Sequence, residues 1–188
     1  MALPLKITVL AAFMLLGACR SEPINFHTLT PVQLPASRSG AQIPIEGISV
    51  PPQVDRPQIV IRQGNNGLAI LETQWWGASL ADELRSALND QLSNTGSGGN
   101  VSVRIDVQRF DSIPGQYGLI DVKWRLRPSG AADNALLTCH STLQTPSGPS
   151  IDELVAAQQN NVKRLAALIN QAAGNSRVCP SAPEPPTA

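Results

Sequence analysis

The stretch VSVRIDV at residues 101–107 alternates strictly between apolar and polar side chains. Residues 119–126, which read LIDVKWRL, repeat the alternation, and residues 136–143, LLTCHSTL, form a weaker third segment. Because successive side chains of a strand point to opposite faces, a period of two predicts β-strands with one apolar face each. Such strands are typical of an antiparallel sheet that is covered on one face and open to water on the other.

Two helices with apolar stripes are placed to cover that sheet. Ser79 is suited to cap a first helix running to about Leu92, and Ser150 with Glu153 forms a capping box that opens the last helix. The first stripe is Leu80, Leu84, Ala87, Leu88 and Leu92, and the second is Ile151, Leu154, Val155, Val162, Leu165, Leu168 and Ile169. Four charged residues of the first helix lie away from its stripe, namely Asp82, Glu83, Arg85 and Asp90.

Four further strands precede the first helix. Residues 26–29 and 43–50 have an alternating character, and residues 58–63 are rich in β-branched side chains. The sequence GNNG at 64–67 is a strong turn signal, which predicts a β-hairpin with the apolar run at 68–73. The order of elements is then β-β-β-β-α-β-β-β-α. We predict a single α+β domain with a mainly antiparallel sheet that two helices cover on one face.

The composition excludes several classes of function. The 188 residues include 14 basic and 14 acidic side chains, so there is no net positive field to hold nucleic acid. His27 and His140 are the only histidines, and the motifs G-x-S-x-G, H-E-x-x-H and the phosphate-binding loop are absent. His140 follows Cys139 directly, and neighbours on a strand point to opposite faces, which argues against a catalytic Cys–His pair. We therefore predict no enzymatic activity, no cofactor and no metal site.

The first 20 residues determine the expected compartment. Lys6 precedes a largely apolar run of ten residues at 7–16, which has signal-peptide length and is too short to span a bilayer. It leads into LGAC at 16–19, which resembles the lipobox of bacterial lipoproteins. The resemblance implies that Cys19 receives a diacylglyceryl group and becomes the acylated N-terminus after cleavage. An ordinary signal peptide with a chance cysteine and a buried N-terminal helix are the alternatives.

These features give a predicted organisation of the whole chain. Residues 1–18 are the lipoprotein signal peptide, 19–25 the lipidated tether, 26–179 the folded domain and 180–188 a Pro-rich disordered tail. Arg20 rather than Asp follows the acylated cysteine. By resemblance to lipoprotein sorting signals, this favours the periplasmic face of the outer membrane over the inner membrane.

Two cysteines, Cys139 and Cys179, remain in the mature domain. An even pair in the oxidising periplasm favours a disulfide, and the spacing is unlike that of a C-x-x-C redox motif. In the chain-entropy treatment, closing a loop of this size contributes about 3–4 kcal/mol to stability. Two buried thiols or a redox pair are the alternatives.

Several segments together resemble one protein family. FHTL at 26–29 is similar to the aromatic-x-Thr-Leu opening of the PqiC/YmbA group, which belongs to the ABC-type transport auxiliary lipoproteins. ISVP at 48–51 and VDRPQIVIR at 54–62 form the more specific match. Trp75-Trp76, at the entry to the first helix, is similar to the family's aromatic segment. The resemblance covers residues 26 to about 172.

The resemblance implies a role with lipid transport machinery. Family members are lipoproteins, usually of the outer membrane, that work with inner-membrane MCE proteins in moving phospholipids between membranes, and no catalytic residues carry over. The implied partners are an MCE-type inner-membrane protein and the membrane itself, through the N-terminal lipid anchor. Exposed sheet edges also make a homo-oligomer plausible. A stand-alone lipid-binding carrier and a structural envelope lipoprotein are the alternatives.

Two motifs supply the candidate docking residues. Asp55-Arg56-Pro57-Gln58 is open to interpretation as an ion pair, as a turn that fixes strand register, or as a docking edge. For Trp75 and Trp76, we expect one ring in the core and the other in contact with a partner. The alternative for this pair is a lipid groove.

Overall fold

The computed structural model describes residues 22–32, 43–93, 101–128, 130, 136–174 and 178–181. Its strands are β1 (Asn25–His27), β2 (Ile45–Ser49), β3 (Gln58–Gln63), β4 (Gly67–Trp76), β5 (Val101–Ile113), β6 (Tyr117–Pro128) and β7 (Leu137–Pro146). Its helices are α1 (Leu80–Ser93) and α2 (Ile151–Gly174). The α+β class and the predicted order of elements are confirmed. Cys19, the predicted signal peptide and the predicted tail beyond residue 181 lie outside the described residues.

The strands divide into two sheets, whereas the sequence suggested one. The first sheet has the order β1-β4-β3 and the second the order β2-β5-β6-β7. The pairs β3–β4, β5–β6 and β6–β7 are antiparallel, whereas β1 runs parallel to β4 and β2 parallel to β5. Alternation determines which face of a strand is buried but not which strand lies beside it. The two parallel pairings, and with them the division into two sheets, were therefore not predictable from the pattern.

Strands β5 and β6 are longer than their alternation predicts. They pair along their whole length, with a bulge between Val107 and Arg109. A bulge adds one residue to one strand and so reverses the face on which the following residues lie. Burial accordingly passes from the odd-numbered residues of 101–107 to Phe110 and Ser112. Strict alternation ends at the bulge, although the strand continues.

The helices cover one face of the four-stranded sheet. Helix α2 packs across β5, β6 and β7, and α1 packs against α2 and β2. Trp124 on β6 is fully buried, and its Nε1 donates a hydrogen bond to Ser141 Oγ at 3.1 Å. The opposite face of β5, β6 and β7 presents exposed polar side chains, among them Arg104, Lys123 and His140. This arrangement confirms the prediction of a sheet covered on one face.

Two fully buried polar residues occupy the middle of the α2 stripe. Gln158 Nε2 donates to the Asp111 carbonyl at 2.9 Å, and Asn161 Nδ2 donates to the Gly118 carbonyl at 2.9 Å. Gly118 permits this close approach, because a Cβ at that position would lie 2.8 Å from the Gln158 side chain. Helix α2 is therefore held in register on the sheet by hydrogen bonds to strand backbone as well as by apolar packing.

A disulfide joins Cys139 on β7 to Cys179, which lies beyond the end of α2. Cys139 is buried and Cys179 is exposed. The bond that the sequence predicted is therefore present, and it ties the chain after α2 back to the sheet that α2 covers.

Candidate docking site

The residues selected as docking candidates lie together at one end of the three-stranded sheet. Gln58 on β3 pairs with Trp75 on β4, and the amide of Trp76 donates to the Pro57 carbonyl. On the other side of β4, Phe26 on β1 pairs with Trp75. The two motifs therefore meet at one place, which we call the docking end. Strand β1 contributes a residue there that the sequence analysis had not selected.

The Asp55 carboxylate is used within the fold. Its Oδ1 accepts a hydrogen bond from the amide of Ala81, in the first turn of α1, at 3.1 Å. Ser79 Oγ accepts a hydrogen bond from the amide of Asp82 at 3.3 Å. Because amides in the first turn of a helix have no partner within the helix, these two side chains satisfy groups that would otherwise be unpaired. Asp55 thus fastens the turn before β3 to the start of α1, which supports its interpretation as a structural residue.

Arg56, Pro57 and Gln58, the other residues of the motif, are held less firmly by contacts within the domain than Asp55 is. Arg56 and Asp55 form no ion pair with each other in the structure. Arg56 is half-buried, and its Nε is buried without a hydrogen-bond partner among the described residues. Pro57 is exposed and Gln58 is half-buried at the start of β3, an end strand of its sheet. The outer side of this turn is therefore accessible to another molecule.

The two tryptophans divide into a core ring and an outward ring, as expected. Trp76 is only 3% exposed and belongs to the hydrophobic core. Trp75 is half-buried, and its ring meets Phe26 edge-on, with 6.3 Å between the centroids and an interplanar angle of 73°. Trp75 Nε1 donates a hydrogen bond to the Glu72 carbonyl at 2.9 Å. Phe26 is 67% exposed, so the two rings form an aromatic patch on the surface.

A buried carboxylate fixes the chain that follows Phe26. Glu83 Oε2 on α1 accepts hydrogen bonds from the Leu29 amide and from Thr28 Oγ1, both at 2.8 Å. Leu29 is fully buried and Glu83 is 7% exposed. The helical spacing placed Glu83 away from the apolar stripe, but the segment after β1 crosses α1 at this point and covers it. Because one residue of β1 separates Phe26 from this anchor, Glu83 also limits where Phe26 can lie.

Replacing Glu83 is expected to destabilise the fold. Glu83→Ala leaves the Leu29 amide and the Thr28 hydroxyl without their acceptor. A hydrogen bond to a charged group contributes about 1.5–3 kcal/mol to stability. We expect the free energy of unfolding, measured by urea denaturation, to fall by about 2–3 kcal/mol. The matched control is Glu72→Ala, because that glutamate is exposed and is expected to change stability by less than about 0.5 kcal/mol. Equal effects of the two substitutions would contradict the anchoring role of Glu83.

Buried charge between the two sheets is paired within the fold. The Asp111 side chain is 5% exposed and contacts the guanidinium groups of Arg62, at 2.8 Å, and Arg109. The hydrogen bond from Arg62 to this carboxylate, together with its negative charge, raises the pKa of Arg62. The Asp111 side chain is therefore paired with two guanidinium groups, which compensate for its burial.

The side chains around His140 do not form a nucleophilic triad. Asp121 lies between His140, at 2.8 Å, and Thr142, whose hydroxyl donates to the carboxylate at 2.7 Å. Burial raises the pKa of Asp121, but its hydrogen bonds with His140 and Thr142 outweigh burial, so the pKa lies below its usual value. The hydroxyl is therefore bonded to the carboxylate and not to the imidazole. Cys139 is buried and His140 exposed, so these two neighbours point apart as expected.

Within the described ranges, neither helix is long and apolar enough to cross a membrane.

Comparison with known proteins identifies a family. The model of the family described as "ABC-type transport auxiliary lipoprotein component" matches residues 27–170. The matched range includes every candidate docking residue named from the sequence, and it extends into the last turns of α2. Comparison with the curated proteins finds no match.

Solved structures share the fold at low sequence identity. A Xanthomonas campestris protein described under the family name DUF330 has a TM-score of 0.62 and 17% identity, over 81% of this chain and 97% of that one. A crystal structure described only as that of an uncharacterized protein has a TM-score of 0.62 and 18% identity, over 80% and 98% of the two chains. Likeness at this level of identity supports the fold alone. The family match, by contrast, spans most of the sequence from β1 to α2, and the chain belongs to the ABC-type transport auxiliary lipoprotein family.

Proposed function

We propose that this protein is a membrane-anchored periplasmic lipoprotein that serves as a non-catalytic auxiliary subunit of an MCE-type lipid transport system. The observation that carries the proposal is the family match over residues 27–170. In this role the protein works with an inner-membrane MCE protein, and the system moves phospholipids between the two membranes. Loss of the subunit then weakens the barrier function of the envelope.

The anchor in this proposal is the acylated Cys19. The sequence LGAC at 16–19, preceded by a short apolar run, supports acylation at that residue and removal of residues 1–18. Residues 19–25 then form a tether between the acyl chains and the domain at 26–179, and residues 180–188 form a tail. Arg20 supports the periplasmic face of the outer membrane as the site of anchoring.

The docking surface for the partner is proposed to be the outer side of the turn at residues 56–58. Strand β3 begins there with Pro57 exposed and Gln58 half-buried, so this end of the strand is accessible to a partner, whereas its later part lies against β5 through Arg62 and Asp111. Asp55 is exposed and fastens this turn to α1 through the hydrogen bond that its Oδ1 accepts from the Ala81 amide, so it belongs to the proposed docking surface as its anchor. Trp76 acts from the core, because its amide donates a hydrogen bond to the Pro57 carbonyl and so holds the turn against β4. End strands of both sheets would also allow copies of the chain to associate into a homo-oligomer.

A genetic experiment tests the shared pathway. We expect deletion of this protein and deletion of the MCE protein to cause the same sensitivity to detergents that the outer membrane normally excludes. The double deletion is expected to be no more sensitive than either single deletion, because both remove one pathway. A double deletion clearly more sensitive than both singles would contradict the proposal and favour an independent lipid carrier or structural lipoprotein.

A further inference from the structure

We propose that the aromatic patch formed by Phe26 and Trp75, together with Ile24, rests in the interfacial region of the bilayer that holds the acyl chains of Cys19. The β1 edge of the three-stranded sheet, which leads back to the tether, then faces the membrane, while the turn at residues 56–58 lies on the other side of β4 and stays available to the partner. The inference rests on the lipid anchor of the proposed function and adds a second, direct contact between the folded domain and the lipid surface.

The exposure of these side chains is the first observation. Phe26 is 67% exposed and Ile24 45% exposed, although both are large and apolar. They lie two residues apart on either side of Asn25, at the edge of the three-stranded sheet where β1 is an end strand. Apolar side chains that adjoin an aromatic pair on a surface indicate a contact with something less polar than water.

The chemistry of Trp75 suits the bilayer interface in particular. Tryptophan is enriched at membrane interfaces, where one part of the ring is in an apolar environment and the other near polar groups. Its only hydrogen-bond donor, Nε1, already donates to the Glu72 carbonyl at 2.9 Å. The ring can therefore leave water without an unsatisfied N–H group, which removes the main cost of transferring it to a less polar region.

The length of the tether brings the patch close to the bilayer. Phe26 lies seven positions after Cys19 along the chain, and Ile24 lies five positions after it. At about 3.3–3.6 Å per residue, a fully extended tether places Phe26 at most about 25 Å from the acylated residue. In any less extended conformation of the tether, the distance between the β1 edge and the acylated Cys19 is shorter still.

The charge around the patch indicates that the contact is apolar rather than electrostatic. Glu22 precedes β1, and Asp152 on α2 lines the groove of about 620 Å³ beside Phe26. His27 Nδ1 lies 3.5 Å from the Asp152 carboxylate, inside the same groove. Because these groups are acidic, the surface is not attracted electrostatically to anionic lipid. A contact through Phe26 and Trp75 should therefore form on neutral phosphatidylcholine and persist at high salt.

The experiment uses the intrinsic fluorescence of Trp75. Trp76 and Trp124 are 3% and 0% exposed, so Trp75 is the one tryptophan of the three that an external quencher can reach. The acylated full-length mature protein is reconstituted into phosphatidylcholine vesicles with or without bromine on the acyl chains near the headgroup. We expect brominated lipid to remove most of the Trp75 emission, equally at low and high salt.

Two variants assign the signal. Trp75→Phe is expected to abolish the quenching while leaving the emission of the two buried rings. Phe26→Ser removes an exposed side chain outside the core and is expected to reduce the quenching clearly without changing the unfolding midpoint. Quenching that persists in Trp75→Phe would show that it comes from a buried ring, and would overturn the proposal.

The outcomes separate this inference from the anchor on which it rests. Protein that floats with the vesicles but shows no quenching overturns the membrane contact and leaves the anchor intact. Protein that does not float at all overturns both. Shielding of Trp75 from a water-soluble quencher without vesicles, increasing with protein concentration, would assign the patch to contacts between copies of the chain and overturn the proposal.

Discussion

Removal of the disulfide is expected to lower the free energy of unfolding by about 3–4 kcal/mol. The bond joins Cys139 and Cys179, which are 40 residues apart, and so closes a loop that contains most of β7 and all of α2. Opening that loop increases the conformational freedom of the unfolded chain, which is the main source of the stabilisation. Because typical small domains are stable by only about 5–15 kcal/mol, the loss is a large fraction of the total.

Cys179→Ala is the variant that removes the disulfide without disturbing the core, because Cys179 is exposed whereas Cys139 is buried beside Trp124. Urea denaturation followed by tryptophan fluorescence measures the loss, and reduction of the unaltered protein with dithiothreitol should produce the same change without any substitution. In the reduced protein, Cys179→Ala should have no further effect, which provides the control. A loss of less than about 1 kcal/mol by either route would contradict the structural role of the bond.

Replacement of Cys19 is expected to abolish anchoring to the membrane completely. The thiol of Cys19 is the proposed site of diacylglyceryl attachment, and Cys19→Ala has no group that can form the thioether. Two or more acyl chains give stable anchoring, whereas the apolar run at 7–16 is too short to span a bilayer. We expect no incorporation of labelled palmitate and no protein in the outer-membrane fraction.

The Glu72→Ala protein is the control for this experiment, because it keeps the lipobox and Cys19 and its exposed substitution is expected to change stability little. It is expected to incorporate label and to fractionate with the outer membrane as the unaltered protein does. Labelled Cys19→Ala protein would contradict the assignment of the acylation site. Unaltered protein in the inner-membrane fraction would instead contradict the sorting inference from Arg20.

The strands and helices with simple periodicity were predictable because their pattern and their end signals agree. The alternation at 101–107 and 119–126 identified the centres of β5 and β6, and the capping box at Ser150 and Glu153 is formed as expected. The strand ends were missed because the bulge after Val107 reverses the alternation. Neighbour relations, such as β1 beside β4, depend on contacts between distant segments that no local pattern encodes.

The candidate docking residues named from the sequence remain a prediction, and the surroundings of each were not predictable from the pattern. Spacing gave no reason to choose between Trp75 and Trp76, and it is the exposure of the two rings in the structure that identifies Trp76 as the buried one. Glu83 was missed because its partners, Thr28 and Leu29, lie on a distant segment. Phe26 was named only as part of a family motif, although an aromatic residue in an edge strand close to a predicted lipid anchor was a usable signal.

The central claim, that this lipoprotein works with an MCE-type inner-membrane protein, is tested most directly by a crosslinked pull-down. The acylated protein is crosslinked in intact envelopes of a strain that expresses an MCE protein, and the proteins recovered with it are identified by mass spectrometry. We expect recovery of the MCE protein, and a lower yield when Gln58 at the proposed docking edge is replaced by Arg than when the exposed Lys163 on α2 is replaced by Glu. Recovery of no MCE protein, while the unaltered lipoprotein is crosslinked to other envelope proteins, would contradict the claim.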